Sequence, residues 1–495
     1  MTTQFFPFSD QTRRWLLPAA CLLGLAGCAP LPTADAPATM KSMEQLASAR
    51  SFAEASANWP RNDWWKVYGD TQLDSLIDEA LRDSPNLAIA QARLRQAGAI
   101  AQVAGAPLMP EVTGNAAFNE AKQSYNYLSP RQAVPSGWKD YGLATLNLSW
   151  ELDFWGKNRS ALAAALSEQQ AVQAEVAQTR LILSASMASA YAELLHRFTV
   201  RDSAESALTM RTKTVSLFRQ RHKFGLETLA SVRQVEAKQA AAEAELLAID
   251  EGIALQKNTI AALMGAGPDR GLAIDRPTVH FAGTTGLPAN LALELIGRRP
   301  DIVAARLRTE AAAKRIDQQK AGFYPSINLV AFVGLQSLGI DKLTKSGSNI
   351  GSFGPAISLP IFNTERLQGQ LRGARADYDA AVSVYNATLS NALREAADAV
   401  TSRKAIGGEL AATRAAVAAA SEAHSIVSQR YAGQLATYLD VLSAEDGLIS
   451  ARRALADIET RALVLDVALV RALGGGFQGP EKLSAKPGSP ESTIF

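Results

Sequence analysis

Ala144-Thr145-Leu146-Asn147-Leu148-Ser149-Trp150-Glu151-Leu152-Asp153-Phe154 alternates apolar and polar residues without a break. Successive side chains of a strand point to opposite faces. Ala144, Leu146, Leu148, Trp150, Leu152 and Phe154 therefore share one face, and Thr145, Asn147, Ser149, Glu151 and Asp153 the other. Eleven such residues suit a transmembrane β-barrel strand, apolar side to lipid, with Trp150 and Phe154 placed as interface aromatics. A soluble half-buried sheet alternates in the same way, so the rest of the chain must decide. A weaker partner strand covers residues 111–121, with Val112, Ala116 and Phe118 set against Thr113, Asn115 and Asn119. A second pair follows at Ile327, Leu329, Ala331, Val333 and Leu335, then at Ile357, Leu359 and Ile361.

Those two pairs belong to a duplicated chain. Ser84-Pro85-Asn86-Leu87 matches Arg299-Pro300-Asp301-Ile302 at an offset of 215, as Arg93 matches Arg308 and Pro110 matches Pro325. Arg221, Val232 and Glu236 match Arg430, Val441 and Glu445 at an offset of 209. Each half reads helix, β-hairpin, long helix, long helix. The divisions are 1–27, a signal peptide; 28–58, a tether; 59–264, the first repeat; 265–297, a Gly- and Pro-rich connector; 298–476, the second repeat; and 477–495, a tail.

The helices are long. A stretch free of Pro and Gly runs over residues 160–222, roughly 95 Å at 1.5 Å per residue. Met187, Leu194, Leu208 and Val215 fall on a seven-residue spacing that Arg201 interrupts, so coiled-coil-like packing is expected. Helices over 226–263 and 85–108 together match the length of that long helix, and 435–472 with 300–323 compare similarly with 364–431. Two shorter helices stacked end to end beside one long helix would build the wall of a tube. Gly407 and Gly408 are expected to mark a bend in the last long helix.

Arg13 and Arg14 precede an apolar run of 12 residues, 15–26, too short to span a bilayer but right for a signal peptide. The run ends in Leu25-Ala26-Gly27-Cys28, which resembles the bacterial lipobox; that resemblance implies cleavage before Cys28 and its lipidation. The Ala-, Pro- and Thr-rich stretch 29–40 reads as a flexible tether. Lys+Arg 50 against Asp+Glu 48 argues against nucleic acid as a partner. The sequence offers no nucleophile–base pair, phosphate loop or metal-ligand spacing among its four His and two Cys, so no enzyme activity, cofactor or metal is expected. Trp59, Trp64, Trp65 and Tyr68 read as a packing cluster rather than a ligand site, with no convergent polar groups expected beside them.

The secretion signal and the helices decide for the membrane strand. Four strands per chain cannot close a barrel whose minimum is about eight, and an open edge is not tolerated in lipid. Two chains would give eight strands and three would give twelve; the arithmetic does not choose.

Cys28, the Trp64-Trp65 segment with Asp70 and Leu73, the duplicated strand pairs, residues 430–445 and the Leu-Gly-Gly-Gly run at 473–476 together resemble the TolC-like outer-membrane factors. The chain is most similar to their NodT/OprM-like lipoprotein branch, which serves resistance-nodulation-division efflux pumps. The resemblance implies a mainly α protein with a membrane β-barrel: a homotrimer whose 12-stranded barrel in the outer membrane continues as a long α-helical barrel into the periplasm. It further implies a passive exit duct for small molecules, opened by a periplasmic membrane-fusion adaptor and fed by an inner-membrane pump. A type I protein-secretion duct and a non-pore coiled-coil scaffold lipoprotein are the alternatives.

By the same resemblance, Gly225 and Leu226 in the first half and Gly433 and Gln434 in the second lie at adaptor-docking tips. Gln434 stands where the family usually has Gly, with Gly433 one residue early. Leu439 and Asp440 match constricting positions of a periplasmic gate, and Ser443 stands where other members often carry Asp. Tyr431 matches a tyrosine that ties neighbouring helices in the closed state, while Ser231 replaces its acidic partner. Asp440 also fits a helix-capping pattern, Thr437-Tyr438-Leu439-Asp440, and one residue can do both.

Overall fold

The computed structural model describes residues 31, 36–42, 45–46, 52, 58–127, 129–279 and 291–479. The signal peptide, Cys28 and residues 480–495 lie outside the described residues. The chain forms two compact units, and each half of the sequence contributes to both.

Among the described residues the first unit takes 31, 36–40, 95–171 and 305–385. Its centre is an antiparallel sheet in the order β1 (Glu111–Ala121), β2 (Lys139–Leu152), β3 (Ser326–Leu338), β4 (Asn349–Ser358). Register makes the alternation continuous across both halves. Val112 stands opposite Leu148, Leu148 opposite Ala331, and Ala331 opposite Phe353. The next row is Thr113, Asn147, Phe332 and Ser352, on the other face. Phe332 and Val330 make that second face less polar in β3 than in β2. Strand β2 begins before residue 144 and stops at Leu152, because Asp153 turns to accept the amides of Asn158 (3.1 Å) and Arg159 (2.8 Å). Phe154 thus lies beyond the strand. So do Leu359 and Ile361, where Pro360 removes a ladder donor. Trp155 stacks on Tyr324 with ring centroids 4.7 Å apart and donates to the Pro325 carbonyl (2.8 Å), fixing the chain that leaves β2.

Two helices, α3 (Lys157–Lys223) and α8 (Thr364–Ala432), pass from the first unit into the second. Gly407 and Gly408 lie inside α8 without interrupting its helical assignment. The remaining helices are α1 (Thr71–Asp83), α2 (Pro85–Gly105), α4 (Leu229–Met264), α5 (Pro268–Leu272), α6 (Leu291–Arg298), α7 (Pro300–Ala321) and α9 (Tyr438–Ala472). Sequence patterning missed α1, and the segment read as a connector contains α5 and α6.

The second unit is helical. Its largest core joins Trp64, Trp65 and Tyr68 to Leu76 and Ile77 of α1, Met187 and Tyr191 of α3, Ile260 and Met264 of α4, and Val467 of α9. Trp64, Trp65 and Tyr68 pack together as expected, whereas Trp59 packs on a separate cluster with Phe52, Val400 and Leu469; polar groups accompany the first cluster. Tyr68 Oη donates to Asp466 Oδ2 at 2.8 Å. Asp70 caps α1, accepting from the amides of Gln72 and Leu73, while its other oxygen accepts from Tyr191 Oη (2.9 Å) and Thr278 N (2.8 Å). Burial alone would raise the Asp70 carboxyl. The donors from Thr278, Tyr191, Leu73 and Gln72 outweigh that and hold it below the usual carboxylate range.

The repeats close in the same way within this unit. Helix α4 ends at Gly265 and α9 is followed by Gly474, both with positive φ, 77° and 87°. A Cβ on Gly265 would strike Pro85 at the start of α2, and one on Gly474 would strike the carbonyl of Arg298, just before α7. Glycine thus lets each post-tip helix end against the beginning of the helix that precedes the strands. Residues 36–42, expected to be a free tether, are held on α8: Ala38 N donates to Asp379 Oδ1 (2.9 Å) and Lys41 N to Asn386 Oδ1 (2.8 Å).

Asp70→Ala removes a cap and leaves the Tyr191 hydroxyl, which still accepts from Gln72 Nε2, without an acceptor for its proton, so it should cost about 1–3 kcal/mol at neutral pH. Because the folded carboxyl titrates below its unfolded value of about 4, its stabilisation is present above that value and lost as pH falls through the folded one. Urea unfolding followed by circular dichroism should show a wild-type to mutant gap at pH 7 that narrows near pH 3.

Candidate functional site

Both tips lie in the second unit and are built from one helix–turn–helix recipe. In the first, Gly225 takes φ 71°, its N–H donates to His222 O (2.9 Å), and Leu226 N donates to Arg221 O (2.9 Å). In the second, Gln434 takes φ 61°, its N–H donates to Tyr431 O (3.0 Å), and Leu435 N donates to Arg430 O (2.7 Å). The two turns superpose at the 209-residue offset. Gly433 does not shift the turn; Gln434 itself adopts the left-handed conformation. Thr228 and Thr437 then cap α4 and α9.

Asp440 completes a capping box. Its Oδ2 accepts from Thr437 N and Thr437 Oγ1, both at 2.7 Å, while Asp440 N donates to Thr437 Oγ1. The Thr437 hydroxyl and amide hold this fully exposed carboxyl below its ordinary range, so it is charged at neutral pH. Leu439, 64% exposed, and Ser443 lie on the exposed surface of α9 near it. Leu226 and Leu435 are also exposed, at 65% and 72%.

Tyr431 faces elsewhere. Its ring lies under the Arg221 guanidinium (5.3 Å) and beside Tyr438 (6.3 Å), against the cluster of Val215, Phe218, Val232 and Val235. Its hydroxyl is buried without a hydrogen-bond partner in the described structure. Ser231 instead pairs its hydroxyl with Thr228 Oγ1 (2.9 Å). Within one chain, therefore, Tyr431 ties the two tips together through Arg221, while Leu439, Asp440 and Ser443 remain on open surface.

Above the tips, an ion-pair set escaped the sequence reading. Arg211 of α3 reaches Glu445 (3.4 Å) and Asp446 (3.1 Å) of α9, and Lys238 of α4 reaches Asp446 (3.0 Å). Arg453 of α9 pairs with Glu245 of α4. Burial raises the Glu445 carboxyl, opposed by the charge and hydrogen bond of Arg211. Glu236, the repeat equivalent of Glu445, pairs instead with Arg219 and Arg233 on the first hairpin. The repeat match identified both glutamates, but only packing separates a pair within one hairpin from a bond between two.

The family model described as outer membrane efflux protein matches residues 76–266 and 291–475, and the chain belongs to that family. MdtP of Escherichia coli K12, a multidrug resistance outer membrane protein, is 31% identical over 464 residues, 92% of this chain and 95% of that one. The outer membrane protein VceC of Vibrio cholerae is 47% identical with a TM-score of 0.80, over 85% of this chain and 100% of that one. The open state of the Neisseria gonorrhoeae MtrE channel is 26% identical with a TM-score of 0.75, over 91% and 99%. The fold is that of the TolC-like outer-membrane channels, which extend into the periplasm. The chain is an outer-membrane efflux protein of a channel-forming family, not of an enzyme family.

Removing Arg211 leaves Glu445 buried and unpaired, whereas Glu445→Gln leaves a neutral group that can still bond. Arg211→Met should therefore destabilise the tip region by about 3–5 kcal/mol, and Glu445→Gln by less. Amide hydrogen exchange of α9 should rank the variants in that order.

Proposed function

We propose that three copies of this chain close a twelve-stranded barrel and form the passive outer-membrane duct of a tripartite resistance-nodulation-division efflux system. The observation that carries this reading is the open sheet: among the described residues β1 pairs only with β2 and β4 only with β3, while Val112, Leu148, Ala331 and Phe353 carry one apolar row across a single face of all four strands. The family's work in efflux, and the drug-resistance role named for MdtP, favour small molecules as cargo. A periplasmic adaptor docks at the tips around Gly225, Leu226, Gly433 and Gln434, and an inner-membrane pump supplies the energy. Cys28 carries lipid. Intact mass of the membrane-extracted chain should show cleavage before Cys28 and added acyl mass; a bare N-terminus would reject the anchor alone.

In this reading Leu439, Asp440 and Ser443 of three copies converge on one axis as the periplasmic gate. Capping and gating are compatible, because the cap keeps Asp440 charged while leaving it exposed. Three carboxylates on an axis repel, so the ring draws cations. With Ser443 in place of a second acidic ring, Leu439 carries more of the closure. Tyr431, tied to Arg221, helps hold the second tip to the first in the closed state. The adaptor opens the duct by binding the open arrangement more tightly than the closed one.

Single-channel conductance in planar bilayers, without partners, tests the gate. Leu439→Ala should raise conductance, and Asp440→Ala should weaken cation selectivity. Unchanged values for both, with only a loss of about 0.5–2 kcal/mol in stability for Asp440→Ala, would leave Asp440 as a cap and nothing more.

A further inference from the structure

Residues 36–42 lie on α8 in a definite register. Ala38 N donates to Asp379 Oδ1 (2.9 Å) and Lys41 N to Asn386 Oδ1 (2.8 Å). Asp379 and Asn386 are half-buried and seven residues apart on one continuous helix, so they share a face two turns apart. Seven helical residues rise about 10.5 Å, and three extended residues cover about 10–11 Å. The segment is therefore extended and runs opposite to α8: towards its own N-terminus it approaches Thr364, where α8 starts. Just before Thr364, Ile357, Leu359, Ile361 and Phe362 are exposed, Phe362 at 98%. Ile357 is on the face of β4 that carries Phe353, so these residues form a rim where the apolar face of the sheet meets the helix.

We propose that Asp379 and Asn386 dock the N-terminal segment as a strap of matched length, which carries the lipid on Cys28 to this rim and holds α8 at a set distance from the membrane surface. The proposal rests on the lipidation reading given above. Fifteen residues separate Asp379 from Thr364, about 22 Å along the helix. Ten residues separate Ala38 from Cys28, a reach of about 31 Å as polyproline II and about 35 Å fully extended. Pro30, Pro32 and Pro37 favour the shorter value. The lipid attachment point thus passes Thr364 by about 9–13 Å, enough to reach the rim with little slack. Five residues fewer would reach only about 15–18 Å, short of the start of α8. An anchor alone would work on any longer tether. The two amide bonds to α8 turn this one into a spacer.

The test uses the full chain extracted from membranes into nanodiscs, with intact mass confirming acylation of each variant and amide hydrogen exchange read on residues 36–42. Deleting residues 31–35 from the acylated chain should speed exchange about tenfold, the scale of one lost hydrogen bond, because the strap must leave α8 for the lipid to reach the membrane. The same deletion with Cys28→Ser should keep wild-type protection, and five residues inserted after Pro30 should change nothing. Asp379→Ala combined with Asn386→Ala should remove protection whether or not Cys28 is acylated. Asp379→Asn keeps an acceptor oxygen and should retain it. Wild-type protection in the acylated deletion would overturn the length match, as would equal loss with and without Cys28. Wild-type protection in the double alanine variant would overturn the docking residues. An unacylated Cys28 in the wild-type mass would instead reject the lipidation reading, and the length match with it.

Discussion

The sheet has two edge strands, β1 and β4, with no neighbouring strand on their outer sides among the described residues, and the rest of the structure follows from that. In water such edges are an aggregation hazard. In hydrocarbon each unsatisfied group costs several kcal/mol, and no solvent relieves it. The register puts one apolar face on all four strands, so the sheet is made for lipid on a single side. A sheet suited to lipid but too narrow to close requires other copies of itself. In the proposed trimer, that requirement is what brings three sets of tips around one axis.

The helical unit meets a different constraint. Its repeats must end their post-tip helices against a neighbouring helix start, and Gly265 and Gly474 make that approach possible in both halves. Its core is not purely apolar. Asp70, Asp466 and Glu445 are buried and bonded to Tyr191, Tyr68 and Arg211, with Arg403 3.6 Å from the second Asp466 oxygen, so each joins segments far apart in sequence. Such pairs add little net stability compared with apolar replacements, but they strongly penalise wrong packing. Near the tips, the bonds from α9 to α3 and α4 make the two hairpins of one chain a connected body. Any motion of Leu439 and Asp440 must break or carry those bonds.

Periodicity made much of this legible. Alternation at 144–152 located β2 and separated its apolar face from its polar one, because a two-residue period survives whatever the strand packs on. The 209- and 215-residue offsets exposed the duplication and matched the two tips residue for residue. Helix ends were readable to within a few residues where Pro85, Pro300 and the tip turns mark them. Helix α1 escaped because its signal is a cap, Asp70, followed by only 13 residues. The placement of Tyr431 under Arg221 and the burial of Glu445 could not be read either. Both depend on which of several helix faces meet, and a sequence of nearly uniform Ala-rich helices does not encode that locally. Gln434 was visible as a departure from the usual glycine, but only the backbone shows that it takes the glycine conformation unaided.

The central claim is closure of the sheet by three chains through the β1 and β4 edges, and cross-linking of those edges tests it most directly. Cysteine at Thr113 or Asn115 of β1, combined with cysteine at Ser352 of β4, places thiols on the same face of the two edge strands. After treatment of intact outer membranes with a short bis-maleimide, denaturing electrophoresis should resolve monomer, dimer and trimer and stop at trimer. A series that ends at dimer, one that runs on beyond three, or monomer alone with both pairs would contradict the account.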